Sequence, residues 1–346
     1  FWFSFSFPLY HLFMQCRGGS SKVQPILGRY LKVKVAGICG SDLHHVKGEL
    51  GTGKVPVTLG HEGSGTITEV GSEVNNLEVG NRVVINYLNA CMECEPCLQG
   101  YENRCRNRKR IGSGLDGTFA EYITVPAYSA MKMGKEISYE VGAITGCGIA
   151  TGYHATKISE LENGDTVVVF GLGGIGLNTV LWANFFGAGE VIAVDVLEPK
   201  IERARKYGAD LTINPRHDDV VDVIEEETEG IGADVAIECS GSPEAMKNAI
   251  ESVNGNNKFE SGSVISVGFQ TEPIEVNYWQ LREGALKVSG DHTRVELERI
   301  INLLENGKLD FSKSVTHSVP LDEIDRGFEI LDNEADVGRV VVDTEL

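Results

Sequence analysis

The chain has 346 residues, 42% of them hydrophobic, which is too much for one small core and predicts two domains. Acidic residues outnumber basic ones 50 to 31, a net charge of −19, and such a surface repels nucleic acid and anionic membranes. The acid excess fits either a high-salt habitat or a soluble cytoplasmic protein with spare surface charge, and the second reading is the simpler.

No run of 18 or more apolar residues occurs, so the sequence predicts no membrane-spanning helix. Residues 1–28 are atypical. Phe1 to Met14 reads FWFSFSFPLYHLFM, like the core of a signal peptide but without a basic leading segment, a clear cleavage site or an initiating methionine. The segment reads as a non-native or wrongly assigned start, with a membrane-surface anchor as the alternative.

From Arg29 the chain reads as short strands broken by glycine-rich turns. Leu31 to Ala36, Ser64 to Val70, Arg82 to Tyr87 and Phe119 to Val125 are rich in Val, Ile, Thr and Tyr, as expected of a β-barrel-like module. Ile144 to Lys157 turns helical. Strand and helix then alternate: Thr166 to Phe170, a helix from about Ile175 to Phe186, strand Val191 to Val194, helix Pro199 to Tyr207, strand Val235 to Glu238, helix Pro243 to Val253 and strand Ser263 to Val267. That alternation predicts a parallel sheet covered on both faces, an α/β fold. Two further helical segments and a closing strand, Arg339 to Val342, return the chain to the first module. The expected organisation is 29–149, 150–288 and 289–346, after the atypical 1–28.

Gly171-Leu172-Gly173-Gly174-Ile175-Gly176 fits G-x-G-x-x-G between a buried strand and a helix, the setting of a dinucleotide site. Gly171 would make the tight turn, Gly173 would admit a pyrophosphate and Gly176 would allow close helix packing, with phosphate at the helix N-terminus. Asp195 ends the next strand, nineteen residues on, where a carboxylate binds ribose hydroxyls and repels a 2′-phosphate. This predicts NAD over NADP; the alternative for Asp195 is a cap for the helix at Pro199.

The eight cysteines could form a disulfide framework, but such frameworks belong to small secreted domains. Cys91, Cys94, Cys97 and Cys105 are spaced C-x2-C-x2-C-x7-C, a closed four-thiolate shell for a structural zinc, with an iron–sulfur cluster as the rival. Cys39, His61 and Cys147 are each weak signals, since a lone buried Cys or His is more often packing. Together they supply two sulfurs and one nitrogen, and three ligands with an open corner describe a catalytic zinc. Cys16 and Cys239 read as non-ligands.

On the blocks AGICGSDLH (36–44), GHEGSGTITEVG (60–71), VGNRV (79–83), the four cysteines, GTFAEY (117–122), GCGIATGYH (146–154), VVVFGLGGIG (167–176) and AVDV (193–196), the chain resembles the zinc-containing medium-chain alcohol dehydrogenases from Arg29 onward. The resemblance implies a GroES-like β-barrel catalytic domain plus a Rossmann domain, two zinc ions, NAD and a small alcohol or carbonyl substrate. It implies that Glu62 lies behind the metal, that Asp42 orients the ligand histidine and that Arg82 pairs with this inner acid. It places Lys200 with Asp195 at the adenosine ribose and Arg339 at the pyrophosphate, each of which could instead be a surface charge. Ser41 would take the alcohol's proton and pass it through the nicotinamide ribose to His44 and solvent, with His45 as the alternative terminus. The short stretch from Cys105 to Gly117 resembles tetrameric rather than dimeric members. Two rivals stand beside this reading: a zinc-free quinone or enoyl-type reductase of the same superfamily, and a non-catalytic NAD-binding protein. Tyr87, Leu115 and Trp279 are candidate pocket residues that the sequence does not place.

Overall fold

The computed structural model describes residues 28–253, 262–270, 272–276, 280 and 285–346. Most of the atypical N-terminal segment, with Cys16, lies outside the described residues, as does Trp279.

The first module is built on β1 (Gly28–Ile38), where Leu31, Val33 and Val35 face the core while Lys32 and Lys34 turn outward to Glu345. Helix α1 (Gly40–Val46) follows at once. Then come β2 (Glu62–Glu69), β3 (Arg82–Ile85), the two-residue β4 (Leu88–Asn89), α2 (Glu95–Leu98), β5 (Lys109–Arg110), β6 (Tyr122–Pro126) and β7 (Ala130–Lys132). A seven-stranded sheet takes all of these strands except β4 and β5, which pair with each other.

Helix α3 (Tyr139–Ile144) is capped by the Ser138 hydroxyl and runs into a π-helical turn at Thr145–Ile149, then α4 (Ala150–Ile158). The single helix predicted from Ile144 to Lys157 is thus broken by five residues of wider winding.

The second sheet holds β8 (Thr166–Phe170), β9 (Glu190–Val194), β10 (Leu211–Ile213), β11 (Val235–Glu238), β12 (Ser263–Ser266) and β13 (Ala285–Val288). All six are parallel, in the order β10-β9-β8-β11-β12-β13. Counted from β8 this is the doubly wound 3-2-1-4-5-6 order, whose direction reverses between β8 and β11, where a ligand crevice forms. Helices α5 (Gly176–Phe186), α6 (Glu198–Lys206), α7 (Val220–Glu227) and α8 (Pro243–Ser252) connect the strands. Strands β8, β9 and β11 bury nearly every residue, which is why they read as continuous apolar runs.

Helix α9 (Arg294–Glu305), β14 (Val315–Pro320), α10 (Ile324–Asn333) and β15 (Arg339–Asp343) complete the chain. Strand β15 pairs with β1, so the C-terminus joins the first sheet. An aromatic cluster of Tyr153, Trp182, Phe186 and Phe311 locks α4, α5 and the segment after α9 together, and the Trp182 indole donates to Ile149 O at 2.9 Å.

Candidate active site and metal centres

Asp42 has two jobs at the start of α1. One oxygen accepts the Cys39 N–H at 3.0 Å and caps the helix; the other lies 3.1 Å from His61 Nδ1. With Nδ1 engaged, Nε2 is the nitrogen left to face a metal. Cys147 arrives on the π-helical turn. Its flanking glycines are needed for space: a Cβ at Gly146 would lie 2.1 Å from Ile85 O, and one at Gly148 would lie 2.1 Å from an Arg339 nitrogen. Ligand atoms from Cys39, His61, Glu62 and Cys147 all fall within 4.8 Å of one another.

The charge pattern around this cluster suits a cation. The hydrogen bond from Cys147 holds the Cys39 thiol well below its usual range and leaves the proton on Cys147. Burial alone would lower the His61 imidazole, but Asp42 and Cys39 together hold it above its ordinary value. Glu62 is 0% exposed and burial pushes it up to about 7 against the pull of Arg339. Arg339 Nη2 stands 2.8 Å from Glu62, an ion-pair separation whose direction is too poor for a hydrogen bond. Both Glu62 oxygens are therefore buried without an aligned donor. Two thiols and one imidazole fit a divalent ion of borderline softness with one open coordination position, and the unsatisfied Glu62 carboxylate lies within reach of it.

Cys91, Cys94, Cys97 and Cys105 form a second cluster around α2. Their sulfurs are 3.5 Å (91–105 and 94–97), 3.9 Å (94–105) and 4.0 Å (91–97) apart. A tetrahedral ion with Zn–S of 2.3 Å has an edge of about 3.8 Å, so these sulfurs fit one ion. A four-iron cluster, with a separate iron for each thiolate, would spread them further. Backbone N–H groups of Cys97 and Arg106 lower the Cys94 thiol to about 6, while burial pushes the Cys97 thiol up to about 12. Cys239 belongs to neither cluster.

The glycine loop lies at the crevice between β8 and β11. Gly171 has φ +81°, a Cβ at Gly176 would collide with Gly171 O at 1.9 Å, and the Cβ position at Gly173 has nothing within 4 Å. Gly173 is thus the open approach. Asp195 accepts the N–H groups of Leu172 at 2.7 Å and Leu197 at 2.9 Å, joining the loop to the start of α6; the helix cap itself is Leu197. Lys200 stands on the first turn of α6. Arg339 is 3% exposed and packs against Gly174, between this loop and Glu62.

Ser41 and His44 both lie on α1. His44 binds Glu49 through Nδ1, and its ring sits 5.7 Å from that of Phe269, beyond β12, so it faces the cleft between the sheets. His45 is tied to Leu50 O at 3.1 Å. Arg82 requires a correction: its guanidinium donates to Gly134 O at 2.9 Å and Ile137 O at 2.6 Å and lies over the Tyr139 ring, and no ion pair joins it to Asp42 among the described residues. The arginine beside the inner acids is Arg339.

Tyr87, a candidate pocket residue that the sequence named without placing, lies beside the site, together with residues that were not anticipated. Tyr87 stands edge-on to His61 at 5.2 Å and donates to Asp291 at 2.6 Å, which Arg110 also binds at 2.7 Å. His292 is 0% exposed with no partner for either ring nitrogen, and lies edge-on to Tyr87. Glu49 follows His44 by five residues on the turn after α1, a local signal that could have been read.

Comparison with known proteins agrees with this geometry. Residues 29–135 match the alcohol dehydrogenase GroES-like domain and residues 174–306 match the zinc-binding dehydrogenase domain. An alcohol dehydrogenase of Geobacillus stearothermophilus is 33% identical over 316 residues, 90% of each chain. The chain belongs to the zinc-containing medium-chain alcohol dehydrogenase family. Among solved structures, alcohol dehydrogenase TADH from Thermus sp. ATN1 superposes with a TM-score of 0.86 at 28% identity over 95% of each chain. A putative zinc-binding dehydrogenase from Sinorhizobium meliloti, bound to NADP, gives 0.83 at 30% identity over 94% of each. The protein is thus an oxidoreductase of GroES-like and Rossmann-like architecture. No helix among the described residues is long and apolar enough to cross a membrane.

Proposed function

We propose that this dehydrogenase moves a hydride between a primary or secondary alcohol, or polyol, and NAD, with one catalytic and one structural zinc. The observation that carries the reading is the convergence of buried Cys39 and Cys147 with His61, with Arg339 packed between the neighbouring Glu62 and the glycine loop. A zinc ion held there supplies the positive charge that acidifies an alcohol or polarises a carbonyl, and a nicotinamide supplies the hydride acceptor.

The chain's own residues do the rest. Asp42 fixes the His61 ring, and Glu62 with Arg339 forms a buried charge pair behind the trio. Ser41 takes the alcohol's proton at its hydroxyl, and His44 hands a proton to solvent while Glu49 holds its Nδ1. Gly171 to Gly176, Asp195, Lys200 and Arg339 form the cofactor's seat. Preference for NAD rests on the Asp195 carboxylate, which would repel a 2′-phosphate. Ligand thiolates stay reduced most readily in a reducing compartment, which supports a cytoplasmic protein. Among the described residues β13 is an outer strand with Val288 exposed, a surface on which a second copy can pair, as a homotetramer or dimer requires.

A spectrophotometric screen of alcohols and polyols with NAD and NADP tests the reading. Alcohol-dependent reduction of NAD, faster than that of NADP, is the expected result. Absence of turnover with any alcohol in protein that holds both metals would refute it.

A further inference from the structure

Glu238, the last residue of the inner strand β11, is a carboxylate at 0% exposure, in register with Phe170 on one side and Ser266 on the other. Burying an acid in a sheet is costly unless its oxygens are hydrogen-bonded. They are, and every partner among the described residues is a neutral donor. Oε1 accepts the Ser240 N–H at 2.6 Å, the Gly241 N–H at 2.9 Å and the Ser240 hydroxyl, while the Gln270 amide donates to Oε2 at 3.3 Å. The backbone carbonyl of Glu238 accepts the N–H groups of Val267 at 2.7 Å and Gly268 at 3.0 Å.

One residue thus holds two loops, 239–242 after β11 and 267–270 after β12. These loops interlock with each other and with the glycine loop. A Cβ at Gly268 would lie 2.0 Å from Gly241 N, and one at Gly171 would lie 2.6 Å from Ser240 Cβ. Gly241 has φ +75°, and its own Cβ position lies 2.5 Å from Phe269 O. Packing this close passes a shift of Ser240 or Gly241 to Gly171 on one side and to Phe269 on the other.

Those two neighbours give the cluster its place in the reaction. Gly171 opens the turn at the crevice between β8 and β11, where a dinucleotide crosses the sheet. Phe269 reaches His44, ring to ring at 5.7 Å, on the helix that begins beside Cys39. The adenosine end of the cofactor belongs on the other side of the crevice, with Asp195 after β9. The end that exchanges hydride must come to the metal trio, and hence to the side that Glu238 holds.

We propose that Glu238 is a positioning residue for the nicotinamide half of the cofactor. Its carboxylate fixes loops 239–242 and 267–270 as one wall, and the wall, not the acid, meets the cofactor. The inference rests on the dehydrogenase reading and gives a role to a residue which that reading leaves unused.

The test measures binding of NADH and of 5′-AMP, the adenosine end alone, by calorimetry on zinc-loaded protein. Glu238→Ala leaves four donors without their acceptor and should weaken NADH about tenfold or more, while AMP binds as to wild type. Glu238→Gln should recover most of the loss. Its oxygen can face the Ser240 and Gly241 N–H groups, and Gln270, whose Oε1 is buried without a partner, can turn its amide to accept the new N–H. Gln270→Ala cuts only the tie to the second loop and should weaken NADH about threefold, again sparing AMP. Zinc content equal to wild type certifies that a variant is folded, and Gln270→Ala decides the matter if Glu238→Ala is not. NADH bound as tightly as by wild type, AMP weakened in the same proportion as NADH, or Glu238→Gln as weak as Glu238→Ala overturns the proposal and leaves the dehydrogenase reading standing. If wild-type protein binds neither NADH nor AMP, the dehydrogenase reading has failed and this proposal falls with it.

Discussion

Asp42 shows how much of the site one carboxylate can hold. It caps α1 through the Cys39 N–H and fixes the His61 ring, so two of the proposed metal ligands depend on it. Asp42→Asn keeps the shape but weakens the acceptor behind the histidine, and should lower affinity at the catalytic zinc 10- to 100-fold, read by chelator competition. The four-cysteine lobe, remote from this bond, should keep its metal. At Asp195 the expected effect is on choice of cofactor: Asp195→Ser removes the charge that opposes a 2′-phosphate, so the ratio of kcat/KM for NAD to that for NADP should fall at least tenfold. An unchanged ratio would mean that some other group discriminates. The four-cysteine cluster was legible in sequence because its spacing is local; Cys39, His61 and Cys147 are far apart in the chain, and only their combination and the family resemblance singled them out before the fold brought them together. The partner of the inner acids was not legible: Arg339 meets Glu62 only because β15 returns to β1, and no local pattern near Glu62 points to it.

Among the elements, the π-helical turn at Thr145–Ile149 matters most. It places Cys147 in the cluster while Gly146 lets the turn touch β3. Five residues of wider winding leave almost no mark on hydrophobic periodicity, so the sequence reads as one helix from Ile144 to Lys157. Gly146→Ala should destabilise the fold by about 1–3 kcal/mol, because its methyl would meet backbone rather than a side chain that can move aside; urea denaturation measures this. Short strands were also hard to see: β7, β10, β13 and β14 hold three to six residues, and pairing across the sheets rather than local pattern defines them. Strands β8, β9 and β11, buried on both faces, were plain because burial forces an unbroken apolar run.

Across the whole molecule, a hydrophobic cluster of Val35, Val84, Val341, Trp182 and Phe311 joins the two modules, and isolated polar groups are buried elsewhere. His292, sealed behind Tyr87, is depressed to about 4 by burial. An imidazole that resists protonation when folded but accepts a proton near pH 6.5 when unfolded favours unfolding as pH falls through that window. Between pH 7 and pH 5 the His292 contribution should be about 2 kcal/mol, read as the difference in pH dependence of the urea midpoint between wild type and His292→Leu, since Glu62, held at about 7, titrates in the same window with the opposite sign. Glu296 does not mask the effect, since His154 and Lys157 outweigh its burial and hold it at about 2, outside that range.

The account depends on two separate metal centres in one chain, only one of which serves the reaction. Zinc counting by mass spectrometry on wild type and Cys147→Ser tests it most directly. The expected result is two ions in wild type and one in the variant, with the Cys91–Cys105 lobe still metallated and dehydrogenase activity gone. Two ions retained in a folded variant, or full activity with one ion lost, would contradict it.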